Sequence, residues 1–244
     1  MLKKRLRRIF VGIIPNLNFM SGLLKSSRGR KVAMALSGLF LVVFLTQYFA
    51  INILSVFSEE THNAVSHFMG TNPLVQFGLQ PLLIFGVVFH FIMGIRLELQ
   101  NRKSRPVKYV SYRGSANATW MSRNMIYTGL VILAFLGLHF YDFFIPELIH
   151  KYVENHTAEV GDSTRYYAET IHKFEQPWRV GVYVIAFILL MLHLLHGFQS
   201  SMQSIGFNNK YSKALKVVTR AWAILIPIGF IFIALYHHFN QLPH

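Results

Sequence analysis

Five of the twelve histidines in this 244-residue chain lie inside long apolar stretches: His90, His139, His193, His196 and His237. An ionisable side chain is costly inside a membrane, so each is a candidate functional residue that needs a partner. Imidazole can ligate haem iron or another metal, and it can also transfer protons. The chain has no cysteine, which excludes disulfides, thiolate metal sites and iron–sulfur ligation by this chain. Any redox chemistry must therefore use histidine, a bound cofactor or both.

The elements that position these histidines are apolar segments of membrane-spanning length. Apolar residues make up 53% of the chain and charged residues only 14%, which is too much apolar surface for one soluble core. A helix crosses the hydrocarbon core with about 20 mostly apolar residues. Five stretches meet this requirement: Val32–Phe57, Leu74–Leu97, Met121–Ile145, Trp178–Met202 and Leu215–Phe239. The sequence predicts an all-α, integral membrane five-helix bundle.

The distribution of Lys and Arg predicts the orientation of this bundle. Of the 24 basic residues, 20 lie before the first span, between Arg96 and Arg123, or between Lys210 and Arg220. The positive-inside rule then places the N-terminus in the cytoplasm and the C-terminus outside. This rule explains the net charge of +14, so we expect no nucleic-acid partner.

The predicted organisation is a basic cytoplasmic segment, residues 1–31, followed by one transmembrane domain, residues 32–240. Residues 1–19 lack a small-residue cleavage site after their short apolar run, which disfavours a signal peptide, and translation from Met20 is an alternative. The loop 146–177 is predicted to be the only extramembrane segment long enough to form a cap. We expect six of the seven other histidines to be solvated or interfacial: His62, His67, His150, His156, His172 and His244.

Two of the buried histidines are predicted to share one depth. At about 1.5 Å per residue, His90 lies roughly 24 Å and His193 roughly 22 Å below the outer ends of their helices. Two imidazoles facing each other at one depth are what a bis-histidine haem requires. Gly86 and Gly94 flank His90, and Gly197 follows His193, at helical spacing that could leave room for a flat macrocycle.

Other interpretations of these histidines stay open at this point. They could hydrogen-bond across closely packed helices without any cofactor. His193 and His196 could bind a metal, but the fourth span offers no carboxylate as a further ligand. We expect His196 to hydrogen-bond a haem propionate, a lipid headgroup or a carbonyl. We expect no Asp or Glu deep in any span, which disfavours an ion-coupled transporter.

Several short motifs, in their order and spacing, resemble one protein family. They are VFHFIMG at residues 88–94, LELQNR at 97–102, LHF at 138–140, LHLLHGF at 192–198 and GFNNK at 206–210. The chain resembles the cytochrome b membrane-anchor subunit of succinate dehydrogenases and fumarate reductases, in the single-subunit, five-helix form typical of Bacteroidetes-like bacteria. The similarity covers about residues 20–242.

The resemblance implies a multi-pass protein of the bacterial inner membrane that docks a flavoprotein with FAD and an iron–sulfur protein on its cytoplasmic face. The chain would carry electrons to or from membrane quinone, expected to be menaquinone, through haem b, while dicarboxylate chemistry of the tricarboxylic acid cycle occurs in the flavoprotein. His90 and His193 match the ligands of the haem nearer the cytoplasm, and His139 matches a ligand of a second, outer haem.

One position departs from the family. Where the family has the remaining outer haem ligand, a histidine on the first helix, this chain has Tyr48, in the segment LTQYFAIN. Tyrosinate can bind ferric haem, but it is an unusual ligand in a low-potential electron carrier. Three outcomes remain open: no outer haem, a haem held by His139 alone, or a haem held by His139 and Tyr48.

The sequence indicates the quinone site less specifically than it indicates the haem ligands. The resemblance suggests the outer half of the membrane, where Glu59, Glu60 and His62 could exchange protons, although a solvated loop also explains them. Basic residues at the cytoplasmic headgroup level could contact lipid phosphate, haem propionates or the iron–sulfur protein: Arg28, Arg30, Lys31, Arg102 and Lys103. The positive-inside rule also explains them.

The competing functions are a b-type cytochrome of another respiratory dehydrogenase, a haem-less structural anchor, and a transporter. The number of helices and the order of the motifs disfavour the cytochrome of a hydrogenase or formate dehydrogenase. Tyr48 gives slight support to the structural anchor. A transporter would need broken helices or charges at mid-membrane. The main helix-breaking residue inside a span is Pro227, which disfavours this function.

Overall fold

The computed structural model describes residues 26–103, 124–153, 162–207 and 212–241, and these ranges contain helices and no strand. The first half comprises α1 (Ser27–Asn52), α2 (Leu54–Phe57), α3 (Glu59–Thr71), a π-helical turn (Val75–Leu79) and α4 (Gln80–Lys103). The second half comprises α5 (Met125–His139), a π-helical turn (Phe140–Phe144), α6 (Ile145–Tyr152), a 3-10 turn (Asp162–Thr164), α7 (Arg165–Phe174), α8 (Pro177–Ser204) and α9 (Ser212–Phe239).

Five continuous helical stretches are long and apolar enough to cross a membrane: Ser27–Phe57, Val75–Lys103, Met125–Tyr152, Pro177–Ser204 and Lys213–Phe239. The predicted number of spans is confirmed, and the chain is a multi-pass membrane protein. Most of the basic segment 1–31, Met20, His156 and His244 lie outside the described residues.

Local signals explain where several helices begin. The hydroxyl of Ser26 accepts a hydrogen bond from Gly29 N at 2.9 Å and caps α1. Pro177 occupies the first turn of α8, where its missing N–H costs nothing. After α8, Gly206 takes φ 96°, a left-handed conformation that glycine adopts without steric cost.

Four of the long helices form a ring. Around it, α1 packs on α4, α4 on α5, α5 on α8, and α8 on α1, while α9 packs outside against α8 and α1. Consequently α4 lies diagonally across the ring from α8, and α1 lies diagonally across from α5. The buried apolar core follows α8 and α9, at residues such as Tyr183, Ala223 and Phe230. Large apolar side chains on the outer faces are exposed, as expected where lipid takes the place of water.

Two short helices, α3 and α7, pack against each other at one end of the bundle, which we call the capped end. Asn63 Oδ1 accepts a hydrogen bond from Tyr167 N at 2.8 Å. Lys151 donates to the Gly70 carbonyl and pairs with Glu147, and a Cβ on Gly70 would lie 2.8 Å from the Tyr166 hydroxyl. A side chain at position 70 would therefore displace the end of the Tyr166 side chain.

The prediction of a single cap segment was wrong. The connection between the first two spans also forms a helix, α3, whose N-cap Ser58 accepts a hydrogen bond from Thr61 N at 3.1 Å. The sequence signal was Ser58 followed by two acidic residues in the first turn, Glu59 and Glu60, which favour the positive end of the helix dipole. The segment 146–177, which was expected to form the cap, contains α7.

Candidate functional site

His90, on α4, is oriented by a hydroxyl from α1. Its Nδ1 lies 3.0 Å from Ser37 Oγ, and the same hydroxyl donates its hydrogen to the Met34 carbonyl at 2.9 Å. Because that hydrogen is already used, Ser37 accepts a hydrogen bond from Nδ1–H of His90. The proton therefore sits on Nδ1, and the lone pair of the neutral imidazole is on Nε2, the nitrogen that can ligate a metal.

His193, on α8, has the same arrangement with α5. Its Nδ1 lies 3.2 Å from Thr128 Oγ1, and the Thr128 hydroxyl donates to the Met125 carbonyl at 2.9 Å. The same argument puts the proton of His193 on Nδ1 and leaves the lone pair on Nε2. Each imidazole is thus held by a hydroxyl of the neighbouring helix, in the tautomer that a metal ligand needs.

Each hydroxyl residue is followed by a glycine that contacts the same imidazole. A Cβ on Gly38 would lie 3.3 Å from Cε1 of His90, and a Cβ on Gly129 would lie 3.6 Å from Cε1 of His193. The pairs Ser37-Gly38 and Thr128-Gly129 therefore orient the rings and admit them closely. Sequence analysis missed this role, although a hydroxyl residue followed by glycine in each apolar helix was a visible signal.

The glycines expected to leave room for a flat macrocycle beside the histidines pack against other side chains. Gly86 contacts Phe40, Gly94 contacts Met34, and Gly197 contacts Met125. Helical spacing put these glycines on one face of each helix, but it did not determine which neighbouring side chain would occupy that face.

His90 and His193 project from diagonally opposite helices of the ring, both in the half away from the capped end. They lie close enough for their charges to interact, and both rings are half-buried. Within the part of the chain that the structure describes, neither Nε2 has a hydrogen-bond partner. Two free Nε2 lone pairs across one bundle fit a six-coordinate haem iron, which takes one axial nitrogen from each side.

His196 lies one turn beyond His193 on α8. It is half-buried, interacts electrostatically with His193, and makes no hydrogen bond to the described residues. The sequence analysis expected a propionate, a lipid headgroup or a carbonyl as its partner, and among the described residues no carbonyl hydrogen-bonds to it.

His139 and Tyr48 meet near the capped end, on the other diagonal of the ring. The hydroxyl of Tyr48, on α1, lies 3.0 Å from Nε2 of His139, on α5. On its other side, Nδ1 of His139 lies 3.4 Å from the hydroxyl of Tyr183, which donates to Asp142 Oδ2 at 2.9 Å.

The hydrogen bond to the Asp142 carboxylate determines which atom donates in each hydrogen bond around His139. The Tyr183 hydroxyl donates its one hydrogen to Asp142 Oδ2, so its oxygen accepts from Nδ1–H of His139. Nε2 of His139 then carries a lone pair, which accepts the hydrogen of Tyr48. Arg179 lies 3.4 Å from the second oxygen of Asp142 and balances its charge.

Asp142 corrects the expectation that no acid would be buried in a span. It lies ten residues before the end of the third span, Met125–Tyr152, and is 1% exposed. Its partner Arg179 belongs to the first turn of α8, so the sequence alone gave no indication of the pairing. The positions three residues apart place Asp142 on the face of the helix that carries His139.

At the capped end, His62 is buried rather than solvated, with 3% of its surface exposed. Its ring contacts the ring of Tyr167, and its burial lowers its pKa. Tyr167 also contacts His237, whose Nε2 lies 2.8 Å from Ser55 Oγ. His172, Glu59 and Glu60 are exposed, as expected.

The opposite end of the bundle is basic. Arg28, Lys31 and Lys103 are exposed there, Arg30 is half-buried, and Arg102 pairs with Glu98 at 2.7 Å. Among the described residues, no group of three or more His, Asp or Glu side chains is arranged to hold a metal ion. Comparisons with protein-family models, curated proteins and solved structures found no match to the chain.

Proposed function

We propose that this chain is a membrane-anchor cytochrome b that holds a haem b between His90 and His193 and carries electrons between an iron–sulfur protein and membrane quinone. One observation supports it most directly. Two histidines on diagonally opposite helices have their Nδ1 protons committed to Ser37 and Thr128, and their Nε2 lone pairs are free. Helix packing without a cofactor accounts for the two Nδ1 hydrogen bonds, but among the described residues it leaves the two Nε2 lone pairs without a partner.

The residues of the chain have distinct roles in this proposal. His90 and His193 are the axial ligands, and Ser37 and Thr128 fix their tautomer and orientation. Gly38 and Gly129 let the imidazoles approach the neighbouring helices, and His196 is placed to hydrogen-bond a propionate. When bound, the haem supplies a one-electron iron couple inside the membrane.

The difference in charge between the two ends of the bundle supports an orientation in the membrane and a set of partner proteins. The basic end, with Arg28, Lys31 and Lys103, faces the cytoplasm, and the capped end faces outside. An FAD-containing flavoprotein and an iron–sulfur protein dock on the basic end, and the quinone is menaquinone, as in the succinate dehydrogenase and fumarate reductase family that the sequence resembles. The location is a bacterial inner membrane.

The test is a dithionite-reduced minus oxidised optical spectrum of the purified chain and of its variants. We expect the α-band of a b-type haem in the natural protein, its loss in His90→Ala and His193→Ala, and its retention in the control His172→Ala, which changes an exposed histidine of α7. Absence of the band in the natural protein would refute the cytochrome and favour the haem-less structural anchor. Full haem content in His193→Ala would refute the assigned ligands.

A further inference from the structure

We infer that the capped half of the bundle takes no second porphyrin, so that the chain carries one haem and its electron path ends at His90 and His193. This inference rests on the proposed function. It departs from the family resemblance, which implies a second haem at His139.

The first argument is the occupation of Nε2 in His139. An iron–histidine bond needs the same lone pair that accepts the hydrogen of Tyr48 at 3.0 Å. Binding iron there would break this hydrogen bond inside the membrane, where no water can replace it. At His90 and His193 no such bond has to be broken.

The second argument is that three links hold His139 in this position. Asp142 is fixed by Arg179, Tyr183 is fixed by Asp142, and the Tyr183 oxygen accepts the Nδ1 proton of His139. Tyr183 is 2% exposed and Asp142 is 1% exposed, so these polar groups depend on each other for their hydrogen bonds. Within the described residues, Asp142 Oδ1 and Arg179 Nε make no hydrogen bond, so the network ends at the ion pair between Asp142 and Arg179.

The third argument is the space around His139. The ring of Phe135 stacks on His139 with centroids 6.0 Å apart, and the ring of Phe143 lies 5.1 Å away. Across the bundle, Tyr48 packs on Phe230 at 5.8 Å, and Phe230 stacks on Phe187 at 5.2 Å. A planar macrocycle would have to displace these bulky rings. At the proposed haem site, by contrast, Gly38 and Gly129 lie against the imidazoles of His90 and His193 in place of an aromatic ring.

The experiment is a haem-to-chain ratio, from pyridine haemochrome absorbance and quantitative amino-acid analysis, together with a redox titration of the purified protein. We expect one haem per chain and a single one-electron wave. A ratio of two, or a second wave, would overturn the inference while leaving the proposed function intact. A ratio of zero would overturn the proposed function itself, and with it the count of one.

Matched variants test which histidines hold the haem. His139→Gln keeps hydrogen-bonding capacity toward both tyrosines, and Tyr48→Phe removes a single hydroxyl. We expect both to retain one haem with an unchanged midpoint potential, whereas His193→Gln loses it. Loss of half the haem in either capped-end variant would show that a second porphyrin had been bound there. The natural protein's ratio decides the question even where a variant does not fold.

Discussion

At the scale of single residues, the partner of Nε2 distinguishes the histidines. With each neighbouring hydroxyl donating to a carbonyl or to Asp142, the rings of His90, His139 and His193 carry the proton on Nδ1. They differ in that Tyr48 occupies the lone pair of His139, while the other two lone pairs are free. Ligand chemistry is therefore determined by one hydroxyl on the opposite helix.

The hydroxyls of Ser37 and Thr128 should matter for haem affinity although neither touches the iron. Removing such an outer partner of a ligating histidine typically lowers metal affinity by about 10- to 100-fold. We predict a loss of this size in Ser37→Ala and in Thr128→Val, measured by haem titration of the apoprotein.

Ser204→Ala is the matched control for these variants. Its hydroxyl also donates to a carbonyl of its own helix, at 2.9 Å, but it is exposed and contacts no histidine. An equal loss of affinity in this control, or unchanged affinity in both test variants, would contradict the role of the two hydroxyls.

At the scale of elements, α3 makes the capped end. Its Asn63 accepts the hydrogen bond from Tyr167 N that joins α3 to α7, and His238 Nδ1 donates to the Phe174 carbonyl and joins α7 to α9. The burial of α3 also places His62 against Tyr167, near His237, in a setting where a charged imidazole would be poorly solvated.

Burial of His62 predicts a pH dependence of stability. The pKa of His62 in the folded state lies below the ordinary value of 6.5. As the pH falls below 6.5, the unfolded chain therefore binds a proton at this imidazole, whereas the folded chain does not. The free energy of unfolding should fall there by up to about 1.4 kcal/mol per pH unit.

Thermal unfolding in detergent at pH 7.5 and pH 5.5 measures this effect. We predict a smaller fall in His62→Gln than in the natural protein. The control His172→Gln changes an exposed histidine that pairs with Glu175 on the surface, and it should leave the fall unchanged. Identical falls in all three proteins would contradict the burial argument.

At the scale of the whole molecule, the ring of four helices creates two diagonals. One diagonal joins α4 to α8 and carries His90 and His193, and the other joins α1 to α5 and carries Tyr48 and His139. The fifth span, α9, completes the bundle by packing outside the ring against α8 and α1. The ring therefore offers two central positions at different depths, and we propose that one is for a haem and the other for a hydrogen-bonded network.

The absence of cysteine from the chain makes the proposed orientation directly measurable. Ser163 is exposed beside α7 at the capped end, and Ser204 is exposed at the other end of α8. In intact spheroplasts, a membrane-impermeant maleimide should label Ser163→Cys and not Ser204→Cys, while lysis should make both reactive. The reverse pattern would place the capped end in the cytoplasm.

The sequence by itself determined the class and the five spans, because hydrocarbon requires long apolar helices whatever their neighbours. It also singled out His90, His139 and His193 as buried imidazoles, since an ionisable residue in such a helix is costly and visible. Only the tertiary structure decided what those imidazoles face. Ser37, Thr128, Tyr48 and Asp142 reach them from other helices, and α3 buries His62 through contacts far apart in the chain. Helical periodicity defines a face within one helix, whereas the choice of partner depends on how several helices pack together.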